Sequence, residues 1–254
     1  MCSYPKNVTL MALLMLFSVP SLAQLSRVEK MLTHADAFRL DLASAHVVSL
    51  VTLYQNGEQD KTRRYDVYTR PERQSLVIFK SQVEAGQKML MLGDNYWLLM
   101  PKSRRPIRIT PMQKLLGEAS IGDISTLKWS DDYHGQWQAE EFLALDGEQI
   151  TANRLELSAA TDGASYQRIT LWLTASDDFP LKADLYLRSG KLAKQARFHA
   201  GDDDGKRRVV AMTLFDRIQP AKKTVIEYQS IVPVNLDDKY YNPAYLARSD
   251  AVEW

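Results

Sequence analysis

The chain has 254 residues but only one cysteine, Cys2. Without a second thiol there is no intrachain disulfide, no C-x-x-C redox pair and no cysteine metal cluster. Histidine is also scarce. His34, His46, His134 and His199 stand far apart, and no HExxH or other metal-ligand spacing occurs. There is no Gly-x-Ser-x-Gly elbow, no Walker-type phosphate loop and no GxGxxG fingerprint. Gly117–Gly122 has glycines but lacks the lysine such a loop needs. Charge of one sign is not in excess, with 32 Lys and Arg against 31 Asp and Glu. A near-neutral surface argues against general nucleic-acid binding. No apolar run reaches the roughly 20 residues of a membrane span.

What is present begins with an address. Lys6 is the only charge before Arg27, Val8–Val19 is apolar, Pro20 breaks the run, and Ser21-Leu22-Ala23 offers small residues for cleavage. This is the layout of a secretory signal peptide over residues 1–23, with Gln24 opening the mature chain; an uncleaved N-terminal anchor is the alternative. Cys2 precedes the apolar run, so it is not a lipobox cysteine. Cleavage would remove it and Lys6, leaving a cysteine-free, charge-balanced domain over 24–254 in the periplasm.

Ser26-Arg27-Val28-Glu29 has capping-box spacing, and Val28, Met31, Leu32, Ala35 and Phe38 follow at helical intervals. An amphipathic helix over Ser26–Arg39 is expected. Strand-like runs dominate thereafter, from Val47–Gln55 to Thr224–Val232. Short turn signals separate them, among them Asn56-Gly57, Gly93-Asp94, Asp146-Gly147 and Ser189-Gly190. No helical stretches alternate with them, so one antiparallel meander is predicted rather than a parallel βαβ sheet. Pro111–Leu116 reads as a short helix, Gly117–Asp132 as a loop and Asn235–Leu246 as helical or irregular. Tyr240, Tyr241, Tyr245 and Leu246 are docking groups in that last segment.

Two neighbouring runs, Met89–Leu92 and Tyr96–Met100, are apolar at successive positions. A half-exposed strand would alternate. Both faces therefore need covers: a helix, a second sheet, or a bound lipid. Methionine suits a surface that adapts to varied apolar shapes.

The polar clusters are weaker signals. Asp202-Asp203-Asp204-Gly205 lacks the alternate spacing and closing Glu of a calcium loop and reads as a hairpin turn. Asp131-Asp132 reads as loop capping rather than an acid–base pair, since neighbours on a strand point apart. Lys102, Arg104, Arg105 and Arg108 form a basic run. It is either a solvated loop neutralised by Asp123, Asp131 and Asp132, or a contact for lipid headgroups or an acidic partner.

From Lys80 to Tyr133 the residues resemble the outer-membrane lipoprotein-sorting proteins, the LolA-like periplasmic carriers, and the branch associated with RND-type exporters in particular. The resemblance lies in Gly86, Leu90–Gly93, Tyr96-Trp97 through Pro101, Arg104-Arg105, Arg108-Ile109, Gly122–Ser125 and Asp131–Tyr133, and again in Tyr240–Leu246. Val83–Ala85 stands where the family often has a proline, and Thr126 where it often has an acid. The resemblance implies a mainly antiparallel β (α+β) fold, an open half-barrel of LolA/LolB type with helices closing its concave face.

It also implies a non-enzymatic carrier without metal or cofactor, which shields acyl chains of lipids or lipoproteins and passes them towards the outer membrane. The partners implied are those acyl chains, an inner-membrane RND-type transporter and, transiently, the membrane. Val77, Phe79, Met89, Met91, Trp97 and Leu99 are the candidate lining residues, on one strand parity; the opposite parity (Ile78, Leu90, Leu98) is the alternative. Arg104, Arg105 and Arg108 are the candidate partner or headgroup contacts. Two other readings stay open. One is an accessory or sensor subunit that carries no cargo. The other is a periplasmic hydrolase, for which no nucleophile–base pair is visible.

Overall fold

A computed structural model describes residues 22–103, 105–125, 128–203, 205–217 and 221–248. The leader expected over residues 1–23, apart from Leu22 and Ala23, lies outside the described residues, as does Arg104. The chain opens with helix α1 (Leu22–Arg39), followed by strands β1 (Ala45–Gln55), β2 (Glu58–Arg70), β3 (Gln74–Phe79), β4 (Lys88–Leu92), β5 (Asn95–Leu99) and β6 (Ile107–Ile109). A crossing segment carries β7 (Lys114–Leu116), β8 (Ala119–Ser120), α2 (Ile121–Ile124) and α3 (Trp129–Asp132). The second run comprises β9 (Tyr133–Leu145), β10 (Glu148–Ala159), β11 (Arg168–Thr174), β12 (Pro180–Tyr186), β13 (Leu192–Asp203), β14 (Lys206–Asp216) and β15 (Lys222–Pro233). A short C-terminal piece ends in α4 (Pro243–Leu246).

The meander is as predicted. Asn56-Gly57 and Asp146-Gly147 both have positive φ at each residue (55° and 85°, 51° and 90°), the geometry of a two-residue hairpin turn that matches strand twist. One antiparallel sheet of 13 strands results, in the order β6-β5-β4-β3-β2-β1-β15-β14-β13-β12-β11-β10-β9. Two meanders thus meet at the β1–β15 pair, which runs from Ala45↔Pro233 to Gln55↔Lys222. The outermost strands, β6 and β9, do not pair with each other, so the sheet stays open.

Register sorts the side chains onto two faces. Across the first meander, Val47, Val67, Val77, Met89 and Leu98 form one row. His46, Tyr68, Leu76, Leu90 and Trp97 form the row behind it. The first row joins the main core with α1, whose Val28, Met31, Leu32 and Ala35 are buried at the predicted spacing. The second row joins a separate cluster beneath Tyr241 and Leu246. Each face of the doubly apolar strands therefore joins its own cluster: the main core on the concave side, the C-terminal piece on the other.

Three expectations need correction. The helix begins at Leu22, so Ser26 lies within it rather than at its start; Leu22–Leu25 contains no breaker to delay it. Pro111–Leu116 is not helical. Its last three residues form β7, which pairs with β8 across a turn at Gly117 (φ 57°). Gly117–Asp132 is not a plain loop but holds β8, α2 and α3.

Gly135 shows how closely α1 sits on β9. A methyl group there would come within 2.6 Å of Val28 Cγ1. We predict that Gly135→Val lowers stability by about 1–3 kcal/mol through overpacking. Urea denaturation should show an earlier midpoint at unchanged m-value.

Candidate functional site

The site is the concave face with its lid. The segment between Ile109 and Tyr133 leaves one sheet edge and enters the other, so it must cross the open mouth. It buries Leu116, Ile121, Ile124 and Trp129 against the concave core. Trp129 meets Phe198 of β13 edge to face, with ring centroids 5.5 Å apart. Beneath the lid a cavity of about 40 Å³ remains, lined in part by Trp129, Tyr133, Ile169, Phe198 and Met212.

Polar contacts tie the lid down: the Glu118 amide donates to the Thr224 hydroxyl of β15 at 2.9 Å, and three further ties hold it. At the first, Asp123 of α2 is buried against Lys194 of β13, at 2.8 Å, with both side chains almost inaccessible. Asp123 also accepts from the Ser120 amide (2.8 Å), the Ser120 hydroxyl (2.7 Å) and the Tyr166 hydroxyl (2.8 Å). Lys194 donates a further bond to the Glu118 carbonyl. Burial opposes the Asp123 charge, but Lys194 and these donors outweigh it and hold the carboxyl below its usual range. The same surroundings push the Tyr166 hydroxyl well up, by burial first and by Asp123 second.

The second tie joins the lid to α1. Asp36 accepts from the amides of Trp129 (3.0 Å) and Ser130 (2.9 Å), at the start of α3. Arg39 lies one turn on, its guanidinium 4.5 Å from the Trp129 ring centre. Burial raises the Asp36 pKa despite Arg39 and both amides.

The third tie spans the mouth. Arg73, in the β2–β3 turn, contacts Asp94 (2.5 Å) and the fully buried Asp132 at the end of α3 (2.6 Å). Asp94 accepts from the Gly163 amide at 2.9 Å, and the Tyr96 hydroxyl donates to the Gly163 carbonyl at 3.1 Å. Thr161 donates to Asp132 at 3.0 Å. The first meander is thus bonded to the β10–β11 loop of the second. Burial raises the Asp132 pKa in spite of Arg73.

The expected lining residues divide between the two faces. Val77, Phe79, Met89 and Met91 belong to the concave core. Trp97 and Leu99 do not: they lie in the cluster under the C-terminal piece. The reason is the two-residue turn at Gly93-Asp94, which pairs Leu90 with Trp97 and Met91 with Tyr96. The concave positions of β5 are Tyr96 and Leu98. Arg105 and Arg108 are exposed, and Arg108 stacks on Trp97 at 4.8 Å. Two of the acids expected to neutralise that run are engaged elsewhere: Asp123 with Lys194 and Asp132 with Arg73.

The histidines do not come together. His34 bonds Asp178, His46 stacks on Tyr68 and His199 bonds Thr213. No metal-binding cluster occurs among the described residues. Asp202 accepts the Gly205 amide at 2.9 Å in the β13–β14 turn.

Neither Lys194 nor Asp36 belongs to a sequence motif. Lys194 sits at an apolar-parity position between Leu192 and Ala196, and that misplacement of a charge is the one signal it offers.

A family model described as "Uncharacterized protein" matches residues 71–248. No curated protein matches the chain. A LolA superfamily protein of Nitrosomonas europaea is 27% identical, with TM-score 0.76, over 84% of this chain and 96% of that one. A DUF1329 family protein of Desulfovibrio piger is 21% identical, with TM-score 0.69, over 88% and 99%. A domain of Vibrio parahaemolyticus described as a putative outer membrane lipoprotein-sorting protein is 19% identical, with TM-score 0.67, over 87% and 98%. The last two share the fold.

Lys194→Met is expected to strand a buried carboxylate and cost about 3–5 kcal/mol near neutral pH. The folded-state pKa of Asp123 is depressed, so its contribution is present above the ordinary value of about 3.9 and is lost as pH falls through the depressed value. The gap between wild type and Lys194→Met in urea melts should narrow over that acid range. A gap that stayed constant would show that the pair does not hold the lid.

Proposed function

We propose that this chain, which belongs to the family matched over residues 71–248 and has the LolA-superfamily fold, is a carrier of acyl chains from lipids or lipoproteins. It works in the periplasm, as a single domain after removal of a leader, and hands its cargo towards the outer membrane. An inner-membrane RND-type transporter is the donor suited to this reading.

The observation that carries it is the match between an apolar concave face and a lid held by a few polar ties. The strands offer Val77, Met89 and Met91 to the same core that buries α1. The sheet leaves its edges unpaired, so the lid can lift without breaking a ladder. An acyl chain entering beneath it gains about 0.8 kcal/mol per buried CH₂. A chain of many carbons can therefore offset the packing and ion pairs given up when the lid opens. The concave face is mostly apolar, and Asp36, Asp123 and Asp132 are consumed by the ties, which favours carriage over catalysis.

Expressing the full chain in a bacterial periplasm and recording native mass spectra, followed by lipid extraction, tests this. Acylated species in stoichiometric amount are expected. Met91→Ser, on the concave face, should lower that content severalfold and destabilise the fold by about 2–5 kcal/mol. Met91→Leu serves as the folded control that keeps an apolar lining. Trp97→Ser, on the opposite face, should leave ligand content unchanged. Clean unliganded protein that also fails to bind a fluorescent fatty acid would remove the carrier reading and favour the accessory role.

A further inference from the structure

One end of the first meander combines features that neither the core nor the lid uses. Six large apolar side chains are exposed among the described residues, and three of them lie here: Val83 at 69%, Ile107 at 49% and Met100 at 36%. The topology puts them together. Ile107 pairs with Leu98, and Met100 follows two residues after Leu98, so both share that strand's concave-side parity. Val83 is in the short helical turn between β3 and β4. That connection abuts the β5–β6 loop: a methyl group on Gly86 would come within 2.9 Å of Pro101 Cγ.

The charge carried by the β5–β6 stretch has one sign. From residue 95 to 117 there is no Asp or Glu, while Lys102, Arg105 and Arg108 are present and exposed. The nearest acids on adjoining elements are already engaged. Glu84 takes Arg63 and the Tyr65 hydroxyl, and Asp66 takes Arg64. Arg108 rests on Trp97, at 4.8 Å.

Apolar side chains left in water cost free energy, and several together mark a surface that is covered in use. Cations interleaved with them fit an apolar phase bordered by negative charge. We propose that the β3–β4 and β5–β6 loops, with β6, form a docking surface for an anionic lipid bilayer. Val83, Met100 and Ile107 enter the headgroup boundary, while Lys102, Arg105 and Arg108 meet lipid phosphates. A bilayer suits the chemistry better than an acidic protein, because the apolar side chains project from loop tips and an edge strand rather than lining a recess. The surface stands on its own residues, whether or not the concave face holds cargo.

Co-sedimentation of the full chain with vesicles tests this directly. Binding is expected to phosphatidylglycerol-containing vesicles, weaker binding to pure phosphatidylcholine, and a decline with added salt. A basic residue near an anionic surface contributes about fivefold in partitioning. Lys102→Gln with Arg105→Gln should therefore reduce binding about 25-fold, and these exposed positions leave the thermal melt unchanged. Val83→Ser with Ile107→Ser should also reduce it, independently of salt.

Absence of binding to either vesicle, or equal binding by wild type and both variants, would overturn the proposal. So would retention by native membranes that vanishes after protease stripping, which would make the surface a protein-docking one. Native mass spectra of the same preparations separate the two readings. Acylated protein that ignores vesicles defeats only the docking surface, and vesicle binding by protein free of acyl chains defeats only the carrier.

Discussion

An antiparallel sheet whose edge strands never meet must find another way to keep its apolar concave face from water. Everything else in this protein answers to that constraint. The β1–β15 pair joins two meanders at the middle and sends β6 and β9 to opposite edges. Chain continuity between those edges obliges residues 110–132 to cross the mouth. The cover is thus a consequence of topology, and α1 fills the space between cover and sheet.

The cover is held differently from the floor. Below, rows such as Val47-Val67-Val77-Met89 pack by hydrophobic burial, which is non-directional and proportional to area. Above, the fixings are directional: Asp123 on Lys194, Asp36 on the α3 amides, Arg73 on Asp132 and Asp94. Buried ion pairs add little net stability because desolvation consumes most of the attraction. They do specify one geometry. Together with the burial of Leu116, Ile121, Ile124 and Trp129, they close the lid in one place.

Much of this is legible in the residues. The Asn-Gly and Asp-Gly turns, the strand spacing and the 3.6-residue repeat of α1 are local signals, and the sheet and helix follow from them. The demand of Met89–Leu92 for cover on both faces is equally visible. The Pro111–Asp132 segment is not. Its short elements are stabilised by Thr224, Lys194, Asp36 and Arg73, all distant in sequence, so local propensity says little there. The lining set divides between two faces for a related reason. Alternation within one strand is a sequence property, but the face shared by two strands depends on turn length, and the Gly93-Asp94 turn puts Trp97 with Leu90 rather than Met91.

The sequence by itself determined what depends on near neighbours: where the chain turns, which runs are extended, which helix face is apolar, and that an intrachain disulfide and a phosphate loop are excluded. Only the tertiary structure decided which charges are buried and with whom. Lys194 and Asp123 are 71 residues apart, and nothing local marks them as partners. Their pairing arises because the sheet curves and the lid returns across it, and a charge can leave water only where such a return brings it an opposite one.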